Sequence, residues 1–311
     1  MTASASCPLC QIPAPLRLRK SGFAIHRCEK SDFEFVHPTP PADVIARVYA
    51  REYFTGEGHG YADYFEQERP ANLRKAAQRL DRLAQLGITG SARLLDVGCA
   101  DGVFVEAALA RGLDAHGVEQ SPEALAAVPK GLQNRVYSSI EKASEWGPWS
   151  AITLWDVLEH LPDFLGTLRA LRVELAPSGV LAVVVPVIDN ANARYLPSTW
   201  DQYKPPEHLW YFSRKSLRDV LEREVGAVVL EESAWRREAR ILDVAPAAAG
   251  AAAKNALTRA ARGIERRLWR SAVAARLLAP ERLDDSVAMY ALACRYARDA
   301  FRPSCPRNAL A

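Results

Sequence analysis

The sequence predicts an α/β fold in which a doubly wound parallel sheet is covered by helices on both faces. Near-continuous apolar segments, typical of buried parallel strands, occur at 92–98, 113–119, 151–156 and 179–187, with a weaker one at 134–138. Helical patterns separate these segments, and right-handed crossovers then place helices on both sides of the sheet. The 311 residues, of which 49% are hydrophobic, are enough for one large or two modest domains.

The first 40 residues differ from this pattern and predict a small β-rich module. Cys7, Cys10 and Cys28 cluster here, in the segments CPLC and HRCEKSD, and apolar residues alternate with polar ones before and after Cys28. In a reducing compartment, clustered cysteines indicate metal ligands rather than a disulfide framework. The proline-rich segment PTPPAD at 38–43 follows as a linker.

The main domain is predicted to span residues 41–239. A helical pattern that starts near residue 70 ends at Gly87, and the alternating strands and helices follow it. Residues 240–284 form an insertion or lid with an alanine tract and a basic helix. A last strand is expected within 285–298, and residues 299–311 form a tail.

The basic helix of the insertion, residues 254–278, has a narrow apolar face rich in alanine. Between residues 254 and 282 there are eight Lys or Arg against two Glu. Such a helix can act as a lid with a solvated face, contact an anionic membrane peripherally, or hold an acidic carrier-linked substrate. The narrow apolar face favours the lid, and the other two interpretations stay open.

Composition and charge argue against several classes of protein. The formal net charge of +3 is spread along the chain, which does not indicate a nucleic-acid partner. The N-terminus lacks the pattern of a signal peptide, and no apolar run reaches the roughly 18 residues that span a bilayer. We therefore expect a cytoplasmic protein without a transmembrane segment, whose oligomeric state is open.

The segment LLDVGCADG places Asp96 at a strand end and a turn of small residues, Gly98, Ala100 and Gly102, directly before a helix. Small residues let the backbone approach a ligand closely. A dinucleotide fingerprint needs its last glycine five positions after the first, but here the distance is four, and no P-loop lysine is present. This spacing disfavours a nicotinamide-dependent oxidoreductase. The next strand ends in Glu119, whose carboxylate can accept both ribose hydroxyls of an adenosine-containing ligand.

Four motifs follow one another in order: DVGCADG, VEQS, LWDVLEHLPD and ELAPSGVLAVVVP. Together they resemble class I S-adenosylmethionine (SAM)-dependent methyltransferases, specifically the group similar to ubiquinone-biosynthesis O-methyltransferases, over about residues 60–235. The resemblance implies a Rossmann-like, seven-stranded methyltransferase sheet, SAM as cofactor, and methyl transfer to a small-molecule acceptor, with a hydroxyl oxygen favoured. Ala100 departs from the family pattern, which usually has glycine at that position.

The resemblance also implies cofactor-binding residues. Asp96, Gly98 and Ala100 would lie beside the methionine part of SAM, and Glu119 at its ribose. The same motifs, and the helix-rich approach to the first strand, imply further cofactor contacts from Tyr61, Arg74, Gln120, Ser139, Trp155 and Asp156. For Tyr61 and Arg74, ordinary packing and a solvated arginine are an equal alternative.

Two histidines are the candidates for catalysis, His160 in DVLEHLPD and His208 in KPPEHLWYF. Both are expected in loops at the carboxyl edge of the sheet, and either could take the proton of an acceptor hydroxyl. In the ubiquinone-pathway relatives the motif around His160 is associated with a divalent metal, which implies Mg²⁺ or acceptor binding by Asp156, Glu159 and His160. Helix capping is the structural alternative there, and loop anchoring is the alternative for His208. Tyr195, Trp200 and Tyr203 add aromatic surface that suits an acceptor wall, with packing in the core as the alternative.

The N-terminal module resembles the zinc ribbons, of pattern CPxCG…RCxxCGLxFxNP, that begin one subgroup of these methyltransferases. Here Ser31 stands where the fourth cysteine would be, and Asp32 replaces the following glycine. A structural zinc requires four ligands. Cys7, Cys10 and Cys28 with Asp32 are the expected set if zinc is bound, whereas an eroded ribbon held by its apolar residues is the favoured alternative.

Three rival functions stay open beside methyl transfer to oxygen. They are a SAM-binding protein without methyl-transfer activity, a methyltransferase acting on carbon or nitrogen of a carrier-linked sugar, and a nucleic-acid methyltransferase. The last is disfavoured because the sequence has no NPPY-like tetrapeptide and no cysteine pair typical of a C5 nucleophile.

Overall fold

The structure, a computed structural model, describes residues 5–48, 65–237 and 287–296. Tyr61, the basic helix expected at 254–278 and the tail at 299–311 lie outside the described residues. Among the helices that the structure describes, none is both long enough and apolar enough to cross a membrane.

The N-terminal module, residues 5–36, consists of short antiparallel strands. They are β1 (Ala5–Ser6), β2 (Pro13–Ala14), β3 (Leu16–Lys20), β4 (Phe23–Cys28) and β5 (Phe33–Val36). Strands β3 and β4 are joined by Ser21 and Gly22, whose φ angles of 50° and 83° are both positive, as in the turns that match the twist of a hairpin. Helix α1 (Ala42–Val48) follows the module.

The main domain alternates helices and strands as the hydrophobic pattern predicts. Its first half contains α2 (Arg69–Gln85), β6 (Arg93–Val97), α3 (Val103–Ala110), β7 (Asp114–Val118), α4 (Pro122–Ala127), β8 (Val136–Tyr137) and α5 (Ile140–Ala143). Its second half contains β9 (Trp149–Trp155), α6 (Phe164–Glu174), β10 (Leu175–Pro186), α7 (Ala191–Tyr195), β11 (Trp210–Phe212), α8 (Arg214–Val225), β12 (Ala227–Arg237) and β13 (Val287–Tyr296).

The central sheet has the strand order β12-β13-β10-β9-β6-β7-β8. Strands β8, β7, β6, β9 and β10 are parallel, whereas β13 runs antiparallel to both of its neighbours. The predicted α/β fold with a parallel central sheet is therefore confirmed. The strand order reverses between β6 and β9, and in such sheets a ligand crevice forms beyond the carboxyl ends of the strands at this point.

Strand β11 does not join the central sheet but the sheet of the N-terminal module, whose order is β11-β5-β4-β3. A buried aromatic cluster reinforces the pairing: the rings of Phe33 and Phe212 lie 5.1 Å apart, as do those of Phe164 and Trp210. Each such pair contributes about 0.5–1.5 kcal/mol beyond the area that it buries. The module is thus packed on the main domain, although the predicted boundary at residue 40 separates the two in sequence.

Helix α8 begins directly after β11, and its own sequence sets both ends. Ser213 and Ser216 exchange hydrogen bonds in a capping box at the N-terminus. Gly226 ends the helix in the left-handed conformation, with φ 68°, which glycine adopts without steric cost. The start of α8 therefore fixes where β11 ends.

Candidate active site

The turn after β6 is built from residues with positive φ. Gly98, Ala100 and Gly102 have φ angles of 73°, 49° and 83°. A Cβ atom added at Gly98 would lie 2.5 Å from Cγ2 of Val157, so only glycine fits there. Ala100 adopts the same left-handed region with a side chain, a strain that proteins often retain at ligand sites. The turn brings the main chain to the mouth of the crevice.

Asp96, at the end of β6, is fully buried. It is the register partner of Thr153 in β9, and the Thr153 hydroxyl donates to Asp96 Oδ1 at 2.6 Å. Burial raises the pKa of the Asp96 carboxyl to about 7, against the opposing effects of Thr153 and of the Arg79 guanidinium. A carboxyl group held in this state gains stability from any cation that binds beside it.

Glu119, just after β7, has a carboxylate fixed by the main chain. Its Oε2 accepts from the Ala100 amide at 2.9 Å, and its Oε1 accepts from the amides of Gln120 and Ser121, each at 2.8 Å. The carboxylate therefore ties the turn after β6 to the end of β7. Oε1 is saturated by its two amides, whereas Oε2 accepts only one, so Oε2 can still accept one further hydroxyl donor.

The end of β9 contributes Trp155 and Asp156. Arg79 of α2 donates to Asp156 Oδ2 at 3.2 Å, and its guanidinium lies 4.7 Å from the centre of the Trp155 ring. The ring of Phe104 packs edge-on against Trp155 at 5.3 Å. Within the part of the chain that the structure describes, the buried Nε1 of Trp155 has no hydrogen-bond partner. A buried donor of this kind fits a site that a ligand completes.

Among the other predicted cofactor residues, Gln120 and Arg74 are exposed, and Ser139 caps helix α5 by accepting from the Lys142 amide at 3.4 Å. Gln120 and Ser139 follow β7 and β8 at the carboxyl edge of the sheet, beside the crevice. Arg74 shares helix α2 with Arg79, but it is Arg79 that contacts the end of β9. Sequence reasoning missed Arg79 because nothing in an amphipathic helix marks one arginine among several.

His160 and His208 are brought together as an edge-to-face pair with ring centres 4.6 Å apart. Nδ1 of His160 lies 2.9 Å from the carbonyl oxygen of Glu207, so Nδ1 carries the proton and Nε2 is the unprotonated nitrogen. Burial lowers the pKa of His160 to about 4, although the bond to Glu207 acts in the opposite direction. The imidazole is therefore neutral at neutral pH and able to accept a proton.

Glu159 joins the two histidines in a compact cluster. Its Oε1 lies 3.8 Å from Nε2 of His160, and one donor atom from each of Glu159, His160 and His208 lies within 4.8 Å of the others. Oε2 of Glu159 is buried without a hydrogen-bond partner among the described residues. Burial, and secondarily the nearby Asp156 carboxylate, raises the pKa of Glu159 well above its usual value. Asp156, the expected companion of Glu159 and His160 at a metal, pairs with Arg79 instead.

The aromatic residues before His208 divide into two groups. Trp200 and Tyr203 are buried and pack on each other at 4.7 Å, and Tyr203 also packs on Tyr211 at 4.9 Å. Tyr195 is 67% exposed. Trp200 and Tyr203 thus form the core beneath the loop that carries His208, rather than the exposed acceptor wall that the sequence suggested.

The ribbon-like site lies within the N-terminal module. Cys10 Sγ and Cys28 Sγ are 3.4 Å apart, and Cys7 Sγ lies 3.3 Å from the Ser31 hydroxyl. The Asp32 carboxylate instead accepts from Arg27 at 2.6 Å and lies outside the group of thiols. Ser31, rather than Asp32, therefore occupies the fourth position beside the three cysteines.

Comparison with known proteins agrees with this fold. Residues 64–232 match the family model of a methyltransferase domain. A ubiquinone biosynthesis O-methyltransferase from Xanthomonas campestris pv. campestris is 30% identical over 185 residues, which cover 52% of this chain and 76% of the relative. The enzyme of the same name from Psychrobacter arcticus is 33% identical over 125 residues, 37% of this chain and 48% of the relative. The fold is similar to that of a SAM-dependent methyltransferase from Archaeoglobus fulgidus, with TM-score 0.50, 17% identity and coverage of 78% of this chain and 99% of that one.

Proposed function

The chain belongs to the class I SAM-dependent methyltransferases, and from that premise we propose that it transfers the methyl group to a hydroxyl oxygen of a small-molecule acceptor. The observation that carries the proposal is the hydrogen bond from Nδ1–H of His160, in the loop after β9, to the Glu207 carbonyl, which leaves Nε2 as the unprotonated nitrogen. The relatives are named as O-methyltransferases, which supports oxygen as the methylated atom.

The residues around the crevice suit the charged and aromatic parts of SAM. The methionine part of SAM carries a sulfonium and an ammonium group, which suits the buried carboxyl of Asp96 beside the turn at Gly98. Glu119 would accept a ribose hydroxyl through Oε2, and Trp155, held by Arg79, would line the adenosine side. Bound SAM supplies an electrophilic methyl group on a sulfonium sulfur.

The protein's own task is then to orient the acceptor and remove its proton. We assign the proton to Nε2 of His160, because the Glu207 carbonyl holds Nδ1–H and would stabilise the imidazolium as it forms. A base with a pKa of about 4 is fully unprotonated at neutral pH but weak. Its contribution should therefore fall near the lower end of the 10²- to 10⁴-fold that positioned bases supply.

Binding of a divalent cation is a second use of the same cluster, favoured by the proximity of Glu159, His160 and His208. Mg²⁺ prefers oxygen ligands, whereas two imidazoles and one carboxylate suit a transition metal better. A cation there would lower the pKa of an acceptor hydroxyl and replace His160 as the activating group. Loss of turnover after chelation, with recovery on adding Mn²⁺ or Zn²⁺ but not Mg²⁺, would favour this second candidate.

The test combines cofactor binding with turnover. Calorimetry with S-adenosylhomocysteine (SAH) measures the cofactor site, and SAH release from SAM with a panel of phenols and catechols measures methyl transfer. His160→Gln should lower kcat about 100-fold and leave the Kd for SAH unchanged. His37→Gln, directly after β5, is the matched control and should change neither quantity.

Two outcomes would reject the proposal. Tight SAH binding without methyl transfer to any hydroxyl would favour a SAM-binding protein without that activity. Methyl groups found by mass spectrometry on carbon or nitrogen of a carrier-linked sugar would favour the other alternative.

A further inference from the structure

The segment that carries Glu207 and His208 is anchored to the N-terminal module. In the β11–β5 pairing, Trp210 lies opposite Phe35, and the Val36 amide donates to the Leu209 carbonyl at 2.9 Å. Upstream, Nζ of Lys20 donates to the carbonyl of Trp200 at 2.8 Å. The module therefore holds both ends of the segment that brings His208 to His160.

On its other side, the same segment is bonded to the loop after β9. The amides of Leu209 and Trp210 both donate to the Glu159 carbonyl, at 2.9 and 3.3 Å, and the Trp210 indole donates to the Leu161 carbonyl at 2.6 Å. The histidine pair thus lies where two independently anchored pieces of chain meet. A shift of either piece would change the geometry of the pair.

Glu34 is a buried charged residue of the module that bonds to the segment carrying His208. Its side chain is 1% exposed, and its carboxylate accepts from Arg27 Nη1 at 2.7 Å and from the Tyr203 hydroxyl. Arg17 Nε lies 3.7 Å away on the same side. A buried carboxylate is costly unless it is paired and hydrogen-bonded, so removing its charge should disturb the groups that it binds.

A short path leads from Glu34 to the histidines. Tyr203 packs on Tyr211 with ring centres 4.9 Å apart, and the Tyr211 hydroxyl donates to the His208 carbonyl at 2.9 Å. Burial raises the pKa of both tyrosines, with the Glu34 charge acting in the same direction, so both hydroxyls stay protonated and remain donors. The Glu207 carbonyl, next to His208, accepts a hydrogen bond from Nδ1–H of His160.

We propose that Glu34 is a positioning residue for methyl transfer, acting through Tyr203 and Tyr211 on the main chain at Glu207 and His208 and thereby on the orientation of His160. This inference rests on the proposed function, in which His160 accepts the proton of the acceptor. It assigns the ribbon-like module a part in the reaction that needs no metal. In this proposal the module holds the acceptor side of the site in position.

The experiment compares Glu34→Gln with Glu29→Gln. Both substitutions remove one carboxylate that pairs with Arg27, but Glu29 is 78% exposed and lies 3.2 Å from the guanidinium, away from Tyr203. Imidazole ¹H–¹⁵N correlation spectra of the SAH complex report on His160 and His208, assigned with His160→Gln and by elimination among the six histidines. Glu34→Gln should move both signals, and Glu29→Gln should move neither.

Turnover gives the second measurement. A misplacement of 1 Å can reduce a rate about 100-fold, and a smaller displacement should reduce it less. Glu34→Gln should therefore lower kcat about tenfold while KM for the acceptor and Kd for SAH change less than twofold. Tyr203→Phe should have the same effect, and the double variant should be no worse than either single one, because both act on one path.

The inference is overturned if folded Glu34→Gln or Tyr203→Phe leaves the His160 and His208 signals where they are. If Glu34→Gln does not fold, Tyr203→Phe decides alone, since it keeps the ring and the packing. Failure of the proposed function has a different signature. His160→Gln would then retain full turnover, while Glu34→Gln would still move the imidazole signals.

Discussion

The two sides of the candidate active site are built in different ways. The cofactor side is held largely by the main chain, through left-handed residues at Gly98 and Ala100 and through three amides that bind Glu119. The acceptor side is held by side chains far apart in sequence, such as Glu34 and Tyr203, which are 169 residues apart. Local geometry thus shapes the proposed cofactor side, whereas long-range packing shapes the proposed acceptor side.

The strongest test of the cofactor side is Gly98→Ala. The left-handed conformation should cost alanine about 1–2 kcal/mol, and the added methyl group would meet Val157 at 2.5 Å, which adds about 1–3 kcal/mol of overpacking. We expect the free energy of unfolding to fall by the sum of the two, as measured by urea denaturation. We also expect SAH binding to be lost in calorimetry at micromolar concentrations.

Gly112→Ala is the matched control, because Gly112 has φ 84° but no atom within 4 Å of an added Cβ. Its free energy of unfolding should fall only by the cost of the left-handed conformation, about 1–2 kcal/mol, and its affinity for SAH should not change. Val157→Ala in the Gly98→Ala background should restore part of the difference. Equal losses in the two glycine variants would show that the contact with Val157 does not matter.

The next largest effect is expected in the module, from Ser31→Cys. The Ser31 hydroxyl lies 3.3 Å from Cys7 Sγ, so a thiol at position 31 would complete a four-thiolate zinc site. Structural zinc contributes about 10–16 kcal/mol in four-ligand sites, so an added thiolate should tighten zinc binding on the order of 100-fold. Competition with a chromogenic chelator measures the change.

Ser21→Cys, in the exposed turn between β3 and β4, adds a thiol away from the site and should leave the zinc affinity unchanged. Asp32→Asn should also leave it unchanged, because the Asp32 carboxylate pairs with Arg27. In all three variants we expect the SAH affinity to stay within twofold. A change in SAH affinity would show that the thiol site of the module and the cofactor side of the main domain are coupled, which the structure does not lead us to expect.

A pH dependence of about tenfold is expected from Asp96. The pKa of its carboxyl is raised to about 7 by burial, so the cofactor-free protein takes up a proton as the pH falls through 7. SAH carries an ammonium group and should bind the ionised form, so its Kd should rise about tenfold between pH 8 and pH 6, with a proton released on binding. Calorimetry in buffers of different ionisation enthalpy counts that proton.

Ionisation of the Asp96 carboxyl should increase the affinity for SAH but decrease the free energy of unfolding of the cofactor-free protein. A carboxyl pKa raised above its unfolded value contributes stability at low pH that is lost as the pH rises through the folded pKa. Asp96→Asn should bind SAH weakly with a flat pH profile and should lose this part of the pH dependence of unfolding. An unaltered profile in that variant would assign the titration to another group.

The sequence predicts that the residues assigned to the cofactor side lie together, whereas their role at SAM stays a prediction. Asp96, the small turn residues and Glu119 follow strand ends at fixed spacing, and short-range geometry alone places them together. Arg79 and Thr153 were missed, although a polar Thr153 inside the apolar strand AITLWD was a usable signal, since it is the register partner of Asp96.

On the acceptor side, spacing identified His160 and His208 but not what holds them. The pairing of β11 with β5 depends on tertiary packing that no local pattern shows. An aromatic run such as Trp200 and Tyr203 does not reveal which face is buried, so the sequence alone does not separate an acceptor wall from core. The chemistry of Asp32 suits a metal ligand, but its backbone φ is 50° and its carboxylate bonds to Arg27.

The smallest effect is expected from Ala100→Gly. The family usually has glycine at this position, and the variant tests whether the alanine is merely tolerated or affects cofactor binding. At φ 49° the folded state should be strained by about 1–2 kcal/mol more with alanine than with glycine. Glycine, however, lowers the stability by about 0.4–1 kcal/mol because it increases the conformational entropy of the unfolded chain. Ala100→Gly should therefore raise the free energy of unfolding by about 0.5 kcal/mol. Ser21→Gly, at φ 50° in the hairpin turn, gives the same relief away from the site. Because the Ala100 amide still binds Glu119, the Kd for SAH should change less than twofold, and a weaker affinity would mean that the methyl group itself packs against the cofactor.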